Sequence, residues 1–297
     1  MESRVHRVAA STAGIDTHAL KHLLPVFGAK LLCDVKADDL ASYQAKRKRE
    51  GAQSRTINME IGLIQRMLRK YRLWDSIAPD VHMLSERKDI GRALTADEEQ
   101  RLLEATAKTD SACHTAIVLA LNTAMRKDEI RQLRWAQIDW QQRTVTVGKS
   151  KTSAGTGRVI PLNASALQGL AEWARRFPNA EPKHYVLPSG ENQRYDPSKP
   201  TKGWRTAWRS ALKRAGVKCR FHDTRVTCIS RMAEGQASDM TVMAIAGHVS
   251  RRMLEHYSHI RMAAKRSALD ALAKAPERAG CNVVSGVGVH QNVHQIQ

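Results

Sequence analysis

Between Ala112 and Thr123 the chain is almost wholly apolar, and in so charged a sequence a segment of that kind has to be buried. Its longest uninterrupted apolar run, Ala116–Leu121, is six residues, against ~18 or more for a bilayer span. The segment therefore predicts a core helix, with the rest of the chain wrapped around it. That remainder is strongly basic: 48 Lys and Arg against 29 Asp and Glu, a net charge of +19 over 297 residues. A charge of this size points to a polyanionic partner, nucleic acid first, and no long apolar stretch supports a basic membrane-surface protein instead. The length accommodates two domains, each with its own core. Aromatic residues make up only 5%, which disfavours a base-stacking platform for single strands. The five cysteines (Cys33, Cys113, Cys219, Cys228, Cys281) form no C-x-x-C pair, which argues for reduced thiols in a cytosol and against a zinc knuckle. The opening M-E-S-R-V-H-R has no apolar core after its charges, so no secretory signal is read there.

Taken in order, residues 1–16 are small and polar and are expected to lack fixed structure. Helices are predicted over Thr17–Leu24, stopping at Pro25, and over Asp38–Glu50, ending at Gly51. A third follows Ser54 as N-cap, its apolar seam made of Ile57, Ile61, Ile64, Leu68 and Tyr71. Arg55, Arg66 and Arg69 lie off that seam, and K-R-K-R at Lys46–Arg49 closes the preceding helix. Apolar seams with basic outer faces read as a DNA-grasping module, residues 1–88. A charged linker over Pro79–Gly91 separates it from a second domain, residues 92–275, and a Gly/Val/Asn-rich tail, 276–297, is expected to be flexible. In that tail His290 and His294 have the spacing of a metal pair, but no carboxylate or thiol accompanies them, so no metal site is assigned. Thr95 and Glu98 form a capping box before the next helix. A β-hairpin is expected from Arg143–Val147 and Arg158–Leu162, with a third short strand at Tyr185–Leu187 and a loop over Ser189–Pro200. From Lys202 to Gly216 the pattern is a helix with Lys202, Arg205, Arg209 and Lys213 on one stripe and Trp204, Trp208, Ala211, Leu212 and Ala215 opposite. That stripe suits phosphate or groove contacts.

The chemistry concentrates between Phe221 and Ile260. His222 and Arg225 are three apart on a predicted helix, His248 follows a glycine, and Tyr257 comes nine residues later. Each alone has ordinary surface uses. Together, a guanidinium, two imidazoles and a phenol are what a metal-free attack on a phosphodiester requires. The ordered set H-x-x-R, G-H, Y resembles the C-terminal signature of the tyrosine recombinases, the phage-integrase family. Further matches lie upstream: R-A-L-T-A-D-E-E-Q-R-L-L is similar to the start of that family's catalytic domain. N-T-A-M-R-K-D-E-I resembles its first arginine motif, with Arg126 as the arginine and Glu129 the acid three residues on. Ala124 stands where the family usually has Gly, so the turn is expected to avoid a left-handed residue there. The family's catalytic lysine sits on a hairpin of this kind, which makes Lys151 the choice, with Lys149 as the alternative. Val226 and Ala246 are further departures, where the family often has His and Leu.

The resemblance spans about residues 20 to 275. It implies a mainly α fold with a small antiparallel β-sheet: a helical core-binding domain followed by a mixed α+β catalytic domain. It also implies site-specific strand exchange between DNA duplexes through a covalent 3′-phosphotyrosine. In that scheme Tyr257 is the nucleophile, Arg126 and Arg225 clamp the phosphate, and Lys151 is the general acid. His248 donates to the phosphate, and His222 holds it or takes the tyrosine proton. No cofactor is required. The implied partners are double-stranded DNA, neighbouring copies in a tetramer joined through the helix after Tyr257, and accessory DNA-bending proteins. The implied location is the nucleoid of a prokaryotic cytoplasm. The short N-terminal stretch leaves little room for a separate arm-site-binding domain. Three rivals share parts of the pattern. A non-catalytic DNA-binding regulator would lack a catalytic residue, a phosphotyrosine-forming topoisomerase would not need the small basic module, and a metal-dependent nuclease would need a carboxylate cluster.

Overall fold

Ile57, Ile61, Ile64 and Leu68 line one side of a single helix, and all four are 4% exposed or less. The computed structural model describes residues 10–86, 91–107, 111–150, 152–191, 194–235, 237–247 and 269–270. The chain divides into two compact units, Met1–Asp89 and Ile90–Gln297.

In the first unit, helices α1 (Ala10–Phe27), α2 (Ala37–Arg49) and α3 (Ser54–Lys70) pack around Leu23, Leu40, Tyr43 and the α3 seam. Helix α1 differs from expectation at both ends. It is already helical at residues 10–16, where composition suggested no fixed structure, because Asp16 is buried and accepts from the Arg66 guanidinium at 2.8 Å. It also runs through Pro25 to Phe27; a proline this close to a C-terminus withholds one amide and is tolerated. Ser54 opens α3 from inside, as the residue after the Gln53 N-cap. Tyr71 drops off the seam and is 58% exposed, because the helix ends at Lys70 and Arg72 turns the chain at φ 58°. Arg47 is a second correction to the basic outer face. It is buried, and its guanidinium forks onto Glu60 at 2.9 and 3.0 Å while the Tyr43 hydroxyl donates to the same carboxylate at 2.8 Å. Asn58 pins residues 81–86 to α3 by exchanging hydrogen bonds with the Leu84 amide and carbonyl.

The second unit is built on the apolar segment. Helix α5 (Ser111–Thr123) carries Ala116, Ile117, Leu119 and Ala120 at 0% exposure. Helix α4 (Ala96–Ala107) precedes it, entered by the Thr95–Glu98 capping box, with the Thr95 amide on Glu98 at 3.0 Å and the Glu98 amide on Thr95 Oγ1 at 3.2 Å. After the short α6 (Lys127–Arg131) come strands β1 (Ile138–Asp139), β2 (Thr144–Thr146) and β3 (Val159–Pro161). They form an antiparallel sheet in that order, with Val145 opposite both Ile138 and Ile160. Helix α7 (Ala164–Ala174) starts from an Asn163 side-chain cap and buries Trp173. The residues expected as a loop form a hairpin instead, β4 (Pro188–Glu191) with β5 (Arg194–Pro200). Its second strand shows no regular alternation of buried and exposed residues, although Tyr195 packs its ring against Trp173 and Phe177. Tyr185 joins Arg134 through an isolated bridge rather than a strand. Helices α8 (Arg205–Ala215), α9 (Phe221–Glu234) and α10 (Asp239–Ala246) complete the unit. Helix α8 buries Trp208, Ala211 and Ala215, and ends at Gly216 in a left-handed cap at φ 63°. The fold is thus mainly α with small antiparallel sheets. No helix among the described residues is long and apolar enough to cross a membrane.

Candidate active site

Helix α9 enters with Asp223 at its third position, where the carboxylate accepts from the Arg220 amide at 2.7 Å and complements the helix dipole. From Asp223 to Ser230 the helix is buried, so Arg225 is carried into the interior and is only 3% exposed. Its two ends are tethered by main-chain carbonyls: one Nη donates to Ala124 O and the other to Ala246 O at 2.7 Å. No carboxylate pairs with it among the described residues. Burial, then the nearby Arg126 charge, pulls its pKa down to about 10, so it stays cationic at neutral pH. A buried cation tethered by carbonyl dipoles, with no paired carboxylate among the described residues, is an electrostatic site for an anion. His222, one turn earlier, faces solvent. Its surroundings still desolvate it, and with the Arg225 charge they hold its pKa below the usual imidazole value, which favours the neutral ring that can accept a proton.

The turn that receives Arg225 corrects a further expectation. Ala124 adopts φ 52°, the left-handed conformation that the absence of glycine seemed to forbid. That conformation costs an L-residue ~1–2 kcal/mol. Two contacts offset the cost. The Ala124 methyl is wholly buried against Val226, Cys228, Ile229, Val242 and Ala246, and one methyl is worth ~0.8 kcal/mol. Its carbonyl takes the Arg225 guanidinium, and a hydrogen bond to a charged group contributes ~1.5–3 kcal/mol. Val226 and Ala246, the two other departures from the family pattern, lie in this same small cluster, so the three changes pack against one another.

Two residues on, Arg126 is the N-cap of α6. Its amide and one Nη donate to Glu129, at 2.8 and 2.9 Å, and its side chain is 20% exposed. Glu129 is buried and receives three more donors: Ser150 Oγ at 2.6 Å and both Nη of Arg158, at 3.1 and 2.6 Å. With Arg158 first among these partners, they overcome burial and bring its pKa down to about 2. Arg158 is itself enclosed. It also donates to Gly155 O at 2.7 Å and, through Nε, to Ile245 O at 2.9 Å. Helix α10, capped by the Ser238 side chain, ends on Gly247 at φ 73°, ψ −148°, a conformation that essentially only glycine adopts. A Cβ there would stand 3.2 Å from Gly155 Cα, so the hairpin loop and the end of α10 meet glycine to glycine.

Arg126 therefore converges with His222 and Arg225, from which it is distant in sequence. Lys149 is exposed on the hairpin. Lys151, His248 and Tyr257 lie outside the described residues, as do His290 and His294 and, apart from Leu269 and Asp270, the segment after Tyr257. Lys202, Arg205, Arg209 and Lys213 are exposed on and just before α8, and Arg55 is exposed on α3. Arg66 is engaged with Asp16, and Arg69 stands 6.0 Å over the Trp74 ring. Reading the sequence missed Arg158 and Ser150. For Arg158 a signal was present: with period two it shares a strand face with Ile160 and Leu162, and those three are buried while Val159 is 55% exposed. No group of His, Cys, Asp or Glu suited to a metal ion occurs among the described residues.

The phage integrase family matches residues 92–264. The shufflon-specific DNA recombinase of Escherichia coli is 29% identical over 259 residues, 82% of this chain and 63% of that protein. The integrase of Salmonella phage P22 is 25% identical, over 67% of this chain and 51% of that protein. The chain thus spans between half and two thirds of the length of these two relatives. Tyrosine recombinase XerA of Thermococcus onnurineus is 21% identical over 83% of both chains. The fold resembles that of the Tn1549 transposon integrase in complex with circular intermediate DNA, with a TM-score of 0.70, 18% identity, and 86% and 92% of the two chains covered. It also resembles a lambda integrase tetramer bound to a Holliday junction, with a TM-score of 0.67, 19% identity, and 84% and 72% covered.

Proposed function

This chain belongs to the phage integrase family, and we propose that it is a site-specific DNA recombinase that cuts and rejoins strands through a covalent 3′-phosphotyrosine. The observation that carries the reading is Arg225, a buried guanidinium beside Arg126, tethered by two carbonyls. A phosphodiester supplies the anion that such a pair accommodates. Arg126 and Arg225 take the two non-bridging oxygens and neutralise the charge that grows on them in the transition state. The Tyr257 phenol attacks phosphorus and the bond to the 5′-oxygen breaks, leaving the DNA 3′-phosphate on the tyrosine. Lys151 protonates the departing 5′-oxygen, with Lys149 the alternative. His248 donates to the phosphate, while His222, neutral and within reach of the same charges, holds it or takes the phenol proton. A 5′-hydroxyl from a second duplex reverses the step. The phosphotyrosyl bond retains the free energy of the one broken, so the chemistry needs neither nucleotide nor metal.

Residues 1–88 and the α8 face supply the DNA contacts in this reading. Arg55, Arg69, Lys202, Arg205, Arg209 and Lys213 are solvent-exposed there, and the Arg66 guanidinium would be shared between Asp16 and a phosphate. Contacts of this class give steep salt dependence. Four copies on two duplexes, joined through the segment after Tyr257, and accessory DNA-bending proteins complete the assembly. The location in this reading is the nucleoid of a prokaryotic cytoplasm, and the DNA flanking the gene is the place to search for the target site.

A nicked suicide duplex made from that flanking DNA, incubated in EDTA, is expected to give a denaturant-resistant protein–DNA complex; a need for magnesium would overturn the reading. For the general acid, Lys151→Ala is expected to slow cleavage by ~10²–10⁴-fold. A 5′-bridging sulfur, a leaving group that needs no proton, should restore the rate. An unrescued Lys151→Ala paired with a rescued Lys149→Ala would move the role to Lys149.

A further inference from the structure

Arg158 touches none of the positions assigned to the phosphate, yet its guanidinium ties together the segments that carry them. Its head group contacts three separate pieces of chain: Glu129 at the start of α6, the Gly155 carbonyl in the hairpin loop, and the Ile245 carbonyl in the last turn of α10. Glu129 in turn holds the amide and one Nη of Arg126. Ile245 immediately precedes Ala246, whose carbonyl holds Arg225. Four of the five guanidinium donors can be accounted for in this way, a geometry that only a planar fork provides. A buried ion pair of this kind is weak evidence for stability, because its desolvation cost is large. Its directionality, by contrast, fixes geometry. A buried Arg–carboxylate fork between two loops sets their spacing more tightly than apolar packing would.

We propose that Arg158 is a positioning residue: through Glu129 it orients the Arg126 guanidinium, and through Ile245 it sets the distance of that guanidinium from Arg225. The proposal rests on the recombinase reading above. A clamp on two non-bridging oxygens tolerates little error, since a displacement of about 1 Å costs on the order of 10²-fold in rate. Lysine keeps the charge but has a single ammonium, so it can satisfy Glu129 or the carbonyls and not all of them.

The test uses the full chain and a nicked suicide duplex from the DNA flanking the gene, with Arg158→Lys as the conservative variant and Arg158→Met as the severe one. Cleavage is followed in single turnover at saturating DNA, and rates are corrected for the fraction of protein able to form adduct. A second duplex carries a neutral methylphosphonate at the cleaved position, where charge neutralisation by Arg126 matters less. The expected result for Arg158→Lys is a rate about 10²-fold lower with DNA affinity unchanged. The ratio of methylphosphonate to phosphate rates should rise towards that of Arg126→Ala. A purely structural role would lower the active fraction and leave the corrected rate and the ratio at their unmodified values; that outcome overturns the proposal, and so does a normal rate in Arg158→Met. If the unmodified chain forms no adduct on either duplex, the recombinase reading itself falls and takes this proposal with it.

Discussion

Tyr257→Phe is expected to bind the suicide duplex as tightly as the unmodified chain and to form no denaturant-resistant complex with it. The substitution removes one oxygen. A phenol with a pKa near 10 is protonated at neutral pH, so its reactivity depends on being placed against a phosphate already neutralised by cations. The phenyl ring has no atom that can make the bond. Affinity, in contrast, comes from the many exposed basic side chains, and counterion release is indifferent to a single hydroxyl. Adduct formation should therefore fall below detection, while the salt slope of binding stays the same. A gel of heat-denatured reactions and a binding titration at two salt concentrations make the comparison. Adduct persisting in Tyr257→Phe would place the nucleophile elsewhere and remove the centre of the proposed mechanism.

Glu129→Gln is expected to cost the second unit about 3–5 kcal/mol, the usual penalty for leaving one partner of a buried ion pair. The carboxylate is 5% exposed and accepts from Arg126, Ser150 and both Nη of Arg158. An amide accepts through one oxygen only and aims its NH₂ at donors that have no lone pair for it. At roughly 2–4 °C per kcal/mol for a unit of this size, the melting temperature should drop by about 6–20 °C. The pH dependence gives an independent signature. The folded pKa of Glu129, about 2, lies below its unfolded value near 4.3. Its stabilisation is thus full above the unfolded pKa and is lost as pH falls towards 2. Glu129→Gln should lose that share of the acid sensitivity, narrowing the gap to the unmodified chain as pH drops. Calorimetry between pH 7 and pH 3 tests both statements, and a variant within 2 °C of the unmodified chain at pH 7 would refute them.

In three places where sequence and structure disagree, the cause is a contact with a different segment of the chain. Residues 10–16 have the composition of a free terminus, but Asp16 finds Arg66 on another helix. Arg47 belongs to a run of four basic residues, yet the turn of α2 carries it inward to Glu60. Ala124 has the wrong side chain for φ 52° by local propensity. It holds that conformation because the carbonyl it presents meets Arg225 and its methyl fills a small cluster. The β4–β5 hairpin escaped notice because backbone pairing leaves no periodic trace when neither face is deeply buried.

Periodicity and terminal chemistry are local properties, and they alone determined a good deal: the α3 seam, the buried α5, the capped start of α4, the two-sided α8 with its Gly216 stop, and the one-turn spacing of His222 and Arg225. Each depends on residues within two turns of one another, so the information is present in a short window. What the tertiary structure alone decided is the electrostatic state of those residues. Desolvation is a property of the assembled interior. It brings the Arg225 pKa down to about 10, while against it the hydrogen bonds from Arg158, Ser150 and the Arg126 amide bring that of Glu129 down to about 2; the same packing makes Arg158, an unremarked strand residue in the sequence, the link between the two arginines.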